Sequence, residues 1–127
     1  MTSLQSIHQT LFAFNKCFEE EPNKIIDIGC GTADPLIIIR KNGFQIEGFD
    51  YSDKMIEAAR KNMVSNKIDP DLIWKDNMES ISIDDECYDC SIALGSLYYA
   101  NSFDSALNEM IRITKKKGYL IFSLRNE

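Results

Sequence analysis

Strand-like and helix-like segments alternate along this chain, and this alternation constrains the fold more than any other feature. Five short apolar runs have strand character, and segments with apolar residues at helical spacing separate most of them. The runs are residues 24–29, 44–50, 72–74, 90–94 and 119–124. Strands joined through helices need crossover connections, which make the strands parallel and put helices on both faces. The pattern predicts an α/β fold with an open, mostly parallel, doubly wound sheet.

The helical segments between these runs have recognisable starts and ends. Helices are predicted at residues 35–41, 53–63 and 103–114, and an amphipathic helix opens the chain within about residues 1–22. The three lysines at 115–117 close the last helical pattern just before Gly118. Cations favour the negative end of a helix dipole, so we interpret these lysines as a helix C-terminus rather than a binding patch.

Length and charge limit the classes of protein that this chain represents. A chain of 127 residues suits one domain, so residues 1–127 are predicted to form a single domain. The net charge of −6 weighs against attraction to nucleic acid or anionic lipid. No apolar run approaches a membrane span, and the N-terminus does not resemble a secretory signal. We expect a cytoplasmic protein without a membrane partner.

The four cysteines do not form a metal-binding pattern. Cys87 and Cys90 have pair spacing, but no second cysteine pair or histidine pair accompanies them. Cys90 also falls inside a strand-like run. The prediction is therefore that no metal is bound.

A glycine-containing loop follows the first predicted strand. Gly29 and Gly31 allow a ligand to approach the backbone closely, which is a weak signal when it stands alone. It gains weight from Asp50, which ends the second strand about twenty residues further on. A carboxylate there is placed to accept hydrogen bonds from both hydroxyls of a ribose. The spacing suits either an adenine dinucleotide or S-adenosylmethionine.

Asp34 separates these two ligands. A dinucleotide places its pyrophosphate at the N-terminus of the first helix, where Asp34 and Pro35 stand in this chain. A carboxylate at that position competes with phosphate. S-adenosylmethionine has no phosphate and carries an ammonium and a sulfonium, which are compatible with acidic groups such as Asp27.

Five segments in order resemble the motifs of the class I S-adenosylmethionine-dependent methyltransferases. They are residues 26–32, 48–60, 76–78, 88–93 and 117–121. Five ordered motifs are more specific than any one of them, and together they cover nearly the whole chain. The resemblance implies a Rossmann-like methyltransferase fold, with the family's C-terminal strands missing. It also implies S-adenosylmethionine as the cofactor and a small molecule as the substrate.

The resemblance assigns a role to each site residue. Those expected along the methionine part of the cofactor are Asp27, Gly29, Cys30, Gly31, Leu94 and Gly95. Asp50 is expected to hold the ribose, and those expected at the adenine are Tyr51, Met55, Asp76, Asn77 and Met78. The structural alternatives are that Asp27 and Asp76 only cap turns, that Met55 is ordinary core and that Cys30 is a small filler. Ala33 departs from the family, which often has a third glycine there.

The sequence assigns no catalytic residue. Methyl transfer is an in-line displacement at an activated carbon, and positioning supplies much of its acceleration. Tyr98 and Tyr99 follow the fourth strand, where the family often places substrate-facing residues, although adjacent tyrosines also pack beside such pockets.

The family's sheet usually continues past the fifth strand. An open sheet edge is therefore expected, which favours self-association or a partner chain that covers it. A non-catalytic cofactor-binding or scaffold protein that has lost its substrate half is the alternative function. A nicotinamide-dinucleotide-binding domain is a third interpretation, weakened by Asp34.

Overall fold

A computed structural model describes residues 4–17 and 24–123 of the chain. In chain order its elements are α1 (Leu4–Cys17), β1 (Ile25–Ile28), α2 (Asp34–Lys41), β2 (Ile46–Asp50), α3 (Asp53–Ser65), β3 (Ile73–Lys75), β4 (Tyr88–Ala93), α4 (Phe103–Ile113) and β5 (Thr114–Phe122). Short 3-10 turns at Pro70–Leu72 and Leu97–Tyr99 precede β3 and α4. Of the opening helix predicted within residues 1–22, the part at 4–17 is present, and residues 1–3 and 18–22 lie outside the described ranges.

The five strands form one parallel sheet with the order β3-β2-β1-β4-β5. The central strand β1 pairs with β2 on one side and with β4 on the other, so that Asp27 is in register with both Gly48 and Ile92. The strand order reverses between β1 and β4, and such a switch point opens a crevice at the carboxyl ends of the strands. The predicted doubly wound sheet is confirmed.

Alternation of side chains along the strands divides the core into two clusters. All four residues of β1 are buried, as expected for a central strand covered on both faces. Ile25 packs in one cluster with residues of α1, α2 and α3, whereas Ile26 and Ile28 pack in the other with α4. Helices cover both faces of β1, and the ends of the strands remain free to form a site.

Hydroxyl groups cap the two helices that follow β2 and β4. The Oγ of Ser52 accepts a hydrogen bond from the backbone N–H of Met55 at the start of α3. The Oγ of Ser102 does the same for Ser105 at the start of α4. These caps satisfy N–H groups that have no partner within the helix. They fix where each helix leaves the end of the sheet.

The prediction that the lysines at 115–117 close a helix is wrong. Helix α4 ends at Ile113, and Thr114 already has extended backbone as the first residue of β5. The hydroxyl of Thr114 is buried, and it donates to the carbonyl of Met110 while contacting the hydroxyl of Ser91. These contacts occupy the helix end and direct the chain into the sheet.

The three lysines lie in an irregular part of β5. Thr114 pairs with Tyr88, but the next registered pair is Tyr119 with Cys90, so extra residues of β5 bulge out between these pairs. Gly118 belongs to this bulge, and a Cβ on it would lie 2.6 Å from the carbonyl oxygen of Asp89. Close backbone approach therefore requires glycine here, which the helical interpretation did not reveal.

Strand β5 has a neighbour on one side only within the part of the chain that the structure describes. The expected open edge is therefore present in residues 24–123. Its coverage by another chain stays a prediction. No helix among the described residues is both long enough and apolar enough to cross a membrane.

Candidate functional site

A cavity of about 660 Å³ lies at the carboxyl ends of β1, β2 and β4. Its walls come from the loops that follow these strands, together with the segment after β3. Every predicted cofactor-binding residue except Asp27 and Cys30 lines it, namely Gly29, Gly31, Asp50, Tyr51, Met55, Asp76, Asn77, Met78, Leu94 and Gly95. The structure thus brings together residues that are far apart in the sequence.

The glycine loop after β1 forms the floor of this cavity. Gly29 and Gly31 have φ angles of 72° and 55°, which are left-handed values that favour glycine. A Cβ on Gly29 would lie 2.5 Å from the Cβ of Ser96, whereas a Cβ on Gly31 would meet no heavy atom of a non-neighbouring residue within 4 Å. The first glycine is needed for packing, and the second faces open space.

Asp50 ties the end of β2 to this loop. The backbone N–H of Gly31 donates to Oδ2 of Asp50 at 2.9 Å, and the backbone N–H of Ser52 donates to Oδ1 at 3.0 Å. The side chain is only partly buried and lines the cavity. A carboxylate offers about four acceptor sites. Both oxygens therefore keep lone pairs for a ligand.

Asp27 lies under the loop rather than on the cavity wall. It is 2% exposed, and its Oδ2 is a buried oxygen without a hydrogen-bond partner among the described residues. Burial, together with the negative charge of Asp50, raises the pKa of the Asp27 carboxyl to about 7. A cation close to this carboxyl would lower its pKa, because it favours the ionised form.

Cys30 also lies away from the cavity wall. Its side chain is 3% exposed, and burial with the nearby negative charges of Asp27 and Asp50 raises the pKa of the thiol. Its backbone N–H donates to the carbonyl of Phe49 at 2.9 Å. The side chain packs in the core and the thiol is not part of the wall, which agrees with the structural alternative of a small filler, and the role of Cys30 along the cofactor stays a prediction.

Tyr51 and Met55 stand at the cavity on the β2 side. Their side chains are large and apolar, yet they are 66% and 44% exposed. The ammonium of Lys75 lies 5.6 Å from the centre of the Tyr51 ring and also pairs with Asp53 at 3.2 Å. The exposed faces of Tyr51 and Met55 are available to a flat apolar ligand group.

Asp76 is engaged within the protein. Oδ1 accepts from the backbone N–H groups of Asn77 and Ser82, and Oδ2 accepts from Ser82 and from the indole N–H of Trp74. The turn-capping alternative for Asp76 is thus present in the structure. Asp76 also lines the cavity, and its role toward adenine stays a prediction.

The two tyrosines after β4 have different positions. Tyr99 is 77% exposed and lines the cavity, whereas Tyr98 is not among the lining residues. The two rings pack with their centres 4.9 Å apart. Adjacent residues of a 3-10 turn point in different directions, so only Tyr99 reaches the wall.

No individual site role was predicted from the sequence for several lining residues, namely Phe49, Ser52, Glu79, Ser96, Ala100 and Asn101. The hydroxyl of Ser96 donates to the carbonyl of Ile28 at 2.5 Å, which joins the loops after β4 and β1. The position of Ser96 shortly after a strand was an available signal. Glu79 had none, because its partners Asn101 and Ser102 lie more than twenty residues away.

Asp34 occupies the first position of α2, as the sequence indicates. Its carboxylate accepts from the hydroxyl of Thr32 and from the amide of Asn62, both at 2.9 Å. These bonds hold a negative charge where a pyrophosphate would bind. In addition, no group of three His, Cys, Asp or Glu side chains suited to a metal ion occurs in the described residues.

The open parallel sheet, with the glycine loop at its switch point, is a Rossmann-like methyltransferase fold. Residues 26–122 match a protein-family model described as a methyltransferase domain. The match extends over most of the chain, which therefore belongs to this methyltransferase family.

Curated relatives carry methyltransferase names. The chain is 32% identical over 99 residues to malonyl-[acyl-carrier protein] O-methyltransferase from Buchnera aphidicola, covering 78% of this chain and 38% of that protein. It is 26% identical over 106 residues to demethylmenaquinone methyltransferase from Halalkalibacterium halodurans, covering 80% of this chain and 43% of that protein. The chain thus spans less than half the length of these two relatives.

Solved structures also superpose on most of this chain, which again corresponds to about half of each of their chains. A SAM-dependent methyltransferase from Thermotoga maritima, described as a possible histamine N-methyltransferase, superposes with a TM-score of 0.70 at 27% identity. That similarity covers 94% of this chain and 49% of the other. The YcgJ protein from Bacillus subtilis superposes with a TM-score of 0.80 at 18% identity, covering 93% and 50%, and shares the fold.

Proposed function

We propose that this chain binds S-adenosylmethionine and belongs to an enzyme that transfers its methyl group to a small-molecule acceptor. The observation that carries the proposal is the junction of Gly31 and Asp50 at 2.9 Å on the cavity floor. It places a backbone with open space above it beside a carboxylate with free lone pairs. This combination suits a ligand that has the two hydroxyls of a ribose and an unbranched aliphatic chain, such as the methionine part of the cofactor.

The residues present fit this cofactor in charge as well as in shape. Asp27 has a buried oxygen without a partner among the described residues, next to the glycine loop. A cationic group near the loop supplies the favourable interaction that this oxygen lacks. The negative charge of Asp34 at the start of α2 disfavours the phosphates of a nicotinamide dinucleotide. A methyl donor that carries positive charge fits better than a dinucleotide.

The residues of this chain bind the cofactor and orient it. S-adenosylmethionine supplies, when bound, a methyl carbon activated by a sulfonium. Gly29 and Gly31 provide close backbone approach, Asp50 accepts hydrogen bonds from hydroxyls, and Tyr51 and Met55 cover an apolar ring. The cavity volume is within the range of small-molecule sites. Because alignment supplies much of the acceleration in such a transfer, a fixed wall matters more than a general base.

Calorimetry with S-adenosylhomocysteine and with NAD tests the proposal. We expect S-adenosylhomocysteine to bind and NAD not to bind. The variant Asp84→Asn should bind both ligands as the unsubstituted chain does, because Asp84 is an exposed carboxylate outside the cavity. Preferential binding of NAD would overturn the proposal. Binding of S-adenosylhomocysteine without transfer to any acceptor would instead favour the non-catalytic alternative.

A further inference from the structure

The wall of the cavity near the end of β4 has a carboxylate that no role above uses. Glu79 is half-buried and lines the cavity together with Tyr99 and Asn101. Its Oε2 accepts from the backbone N–H of Asn101 at 3.0 Å, and its Oε1 accepts from that of Ser102 at 2.9 Å. These bonds fix the direction of the carboxylate, but they do not cancel its negative charge.

No cationic side chain lines the described walls of the cavity. The charged lining residues are Asp50, Asp76 and Glu79, and no Lys, Arg or His among the described residues lines it. Lys75 approaches the Tyr51 ring on the β2 side and is paired with Asp53. The side of the cavity near β4 therefore presents negative charge to whatever enters it.

We infer that the acceptor is an amine, recognised by the carboxylate of Glu79 and the exposed ring of Tyr99. This inference rests on the proposed function. With Asp27 and Asp50 used by the cofactor and Asp76 engaged by its own turn, Glu79 is the carboxylate left for the acceptor. A carboxylate and an aromatic face both attract an ammonium group. An acceptor that carries a carboxylate or a phosphate meets like charge without a compensating cation.

The group transfer balances for this class of acceptor. The nitrogen of the deprotonated amine forms a bond to the methyl carbon as the carbon–sulfur bond breaks. The electron pair of that bond stays on sulfur, which leaves S-adenosylhomocysteine. The bound ammonium first loses one proton to solvent to give this amine, and the methylated nitrogen carries the positive charge that the sulfonium loses, so no oxidant or further reactant is needed.

Three molecules with one skeleton and different charge test the inference. Tyramine is cationic, tyrosol is neutral and 4-hydroxyphenylacetate is anionic. Their affinities are measured by calorimetry on the full chain, with and without saturating S-adenosylhomocysteine. We expect tyramine to bind at least about tenfold more tightly than 4-hydroxyphenylacetate, with tyrosol between them. We also expect high salt to reduce this ratio, because the preference is electrostatic.

Glu79→Gln removes the charge and keeps the shape of the side chain. It should lower the ratio of tyramine to 4-hydroxyphenylacetate affinity at least about threefold. Glu57→Gln is the matched control, because Glu57 is 70% exposed on α3 and should leave the ratio unchanged. The ratio isolates the charge, since any loosening of the wall weakens the binding of both molecules.

Two failures are distinguishable. If S-adenosylhomocysteine does not bind, the proposed function is overturned, while the ratio of affinities is still measured on the chain alone. If 4-hydroxyphenylacetate binds as tightly as tyramine or more tightly, or if none of the three binds, the inference of an amine acceptor is overturned. A ratio that Glu79→Gln does not alter overturns the assignment of Glu79.

Discussion

The backbone N–H of Gly31 donates a 2.9 Å hydrogen bond to the carboxylate of Asp50, across 19 positions of sequence. This bond joins the loop after β1 to the end of β2 at the floor of the cavity. The other oxygen of Asp50 accepts from the N–H of Ser52 at the start of α3. The side chain of Asp50 therefore holds the glycine loop and the start of α3 in place. Its oxygens keep further lone pairs that are free to accept hydrogen bonds from a ligand.

Asp50→Asn should weaken the binding of S-adenosylhomocysteine. Hydrogen bonds to charged groups contribute about 1.5–3 kcal/mol each, so losing the charge of one acceptor corresponds to a loss of about tenfold or more in affinity. The amide also presents donors where the N–H groups of Gly31 and Ser52 need acceptors. Calorimetry measures the change, with Asp84→Asn as the control. Unchanged affinity in Asp50→Asn would show that the ribose lies elsewhere.

Alanine at the two loop glycines should separate folding from binding. Gly29→Ala places a methyl group 2.5 Å from the Cβ of Ser96 at a left-handed φ, so it should destabilise the protein by about 2 kcal/mol or more. Gly31→Ala meets no such contact and should cost about 1 kcal/mol of backbone strain. Its methyl group enters open space on the cavity floor, so binding should fall while the fold persists.

Thermal unfolding measures the stability of the two variants, and calorimetry measures how tightly each binds S-adenosylhomocysteine. Gly29→Ala should show the larger fall in melting temperature. Gly31→Ala should show the larger loss of binding relative to its loss of stability. The reverse order in both measurements would contradict the arrangement of the loop.

The sequence predicted the sheet and the cavity floor because both depend on short-range signals. Strand and helix periodicity is local, and the parallel topology brings the strand ends together without further information. Asp50 and the glycines were found from their spacing alone. By contrast, the contacts of Glu79 with Asn101 and Ser102 join segments more than twenty residues apart, and no local pattern encodes them.

The end of α4 shows the same limit. Helical periodicity continues toward the three lysines, but the chain leaves the helix at Thr114. The deciding contacts are the bond of Thr114 to the carbonyl of Met110 and its pairing with Tyr88 of β4. Tertiary pairing overrides local helix propensity here. A sequence pattern cannot identify a strand partner that only the folded sheet supplies.

Asp76→Ala should affect stability more than binding. Its carboxylate is 7% exposed and accepts from three protein groups, those of Trp74, Asn77 and Ser82. Removing the acceptor leaves three part-buried donors without their partner, at about 1 kcal/mol each. Urea unfolding should show a loss of about 3 kcal/mol, and the exposed Asp71→Ala serves as the control. A stable Asp76→Ala protein with strongly reduced binding would instead assign the carboxylate to adenine.

Asp27 should make the stability of the protein depend on pH in an unusual direction. Burial and the charge of Asp50 raise the pKa of its carboxyl from 3.8 to about 7 in the folded state. Between these two values the folded protein binds more protons at Asp27 than the unfolded chain does. The contribution of Asp27 to the free energy of unfolding therefore falls as pH rises through this window. At pH 8 the penalty is on the order of 4 kcal/mol.

Asp27→Asn removes this titration, so its stability relative to the unsubstituted protein should rise between pH 4 and pH 8. Urea unfolding at both values measures the difference. The affinity for S-adenosylmethionine should instead increase as pH rises. A cation beside the glycine loop favours the ionised carboxylate of Asp27 and lowers its pKa. Binding of S-adenosylmethionine to the unsubstituted protein near pH 6.5 should therefore release a proton. Calorimetry in buffers with different ionisation enthalpies detects that release, and Asp27→Asn should abolish it. Equal proton release by both proteins would show that Asp27 does not sense the ligand's charge.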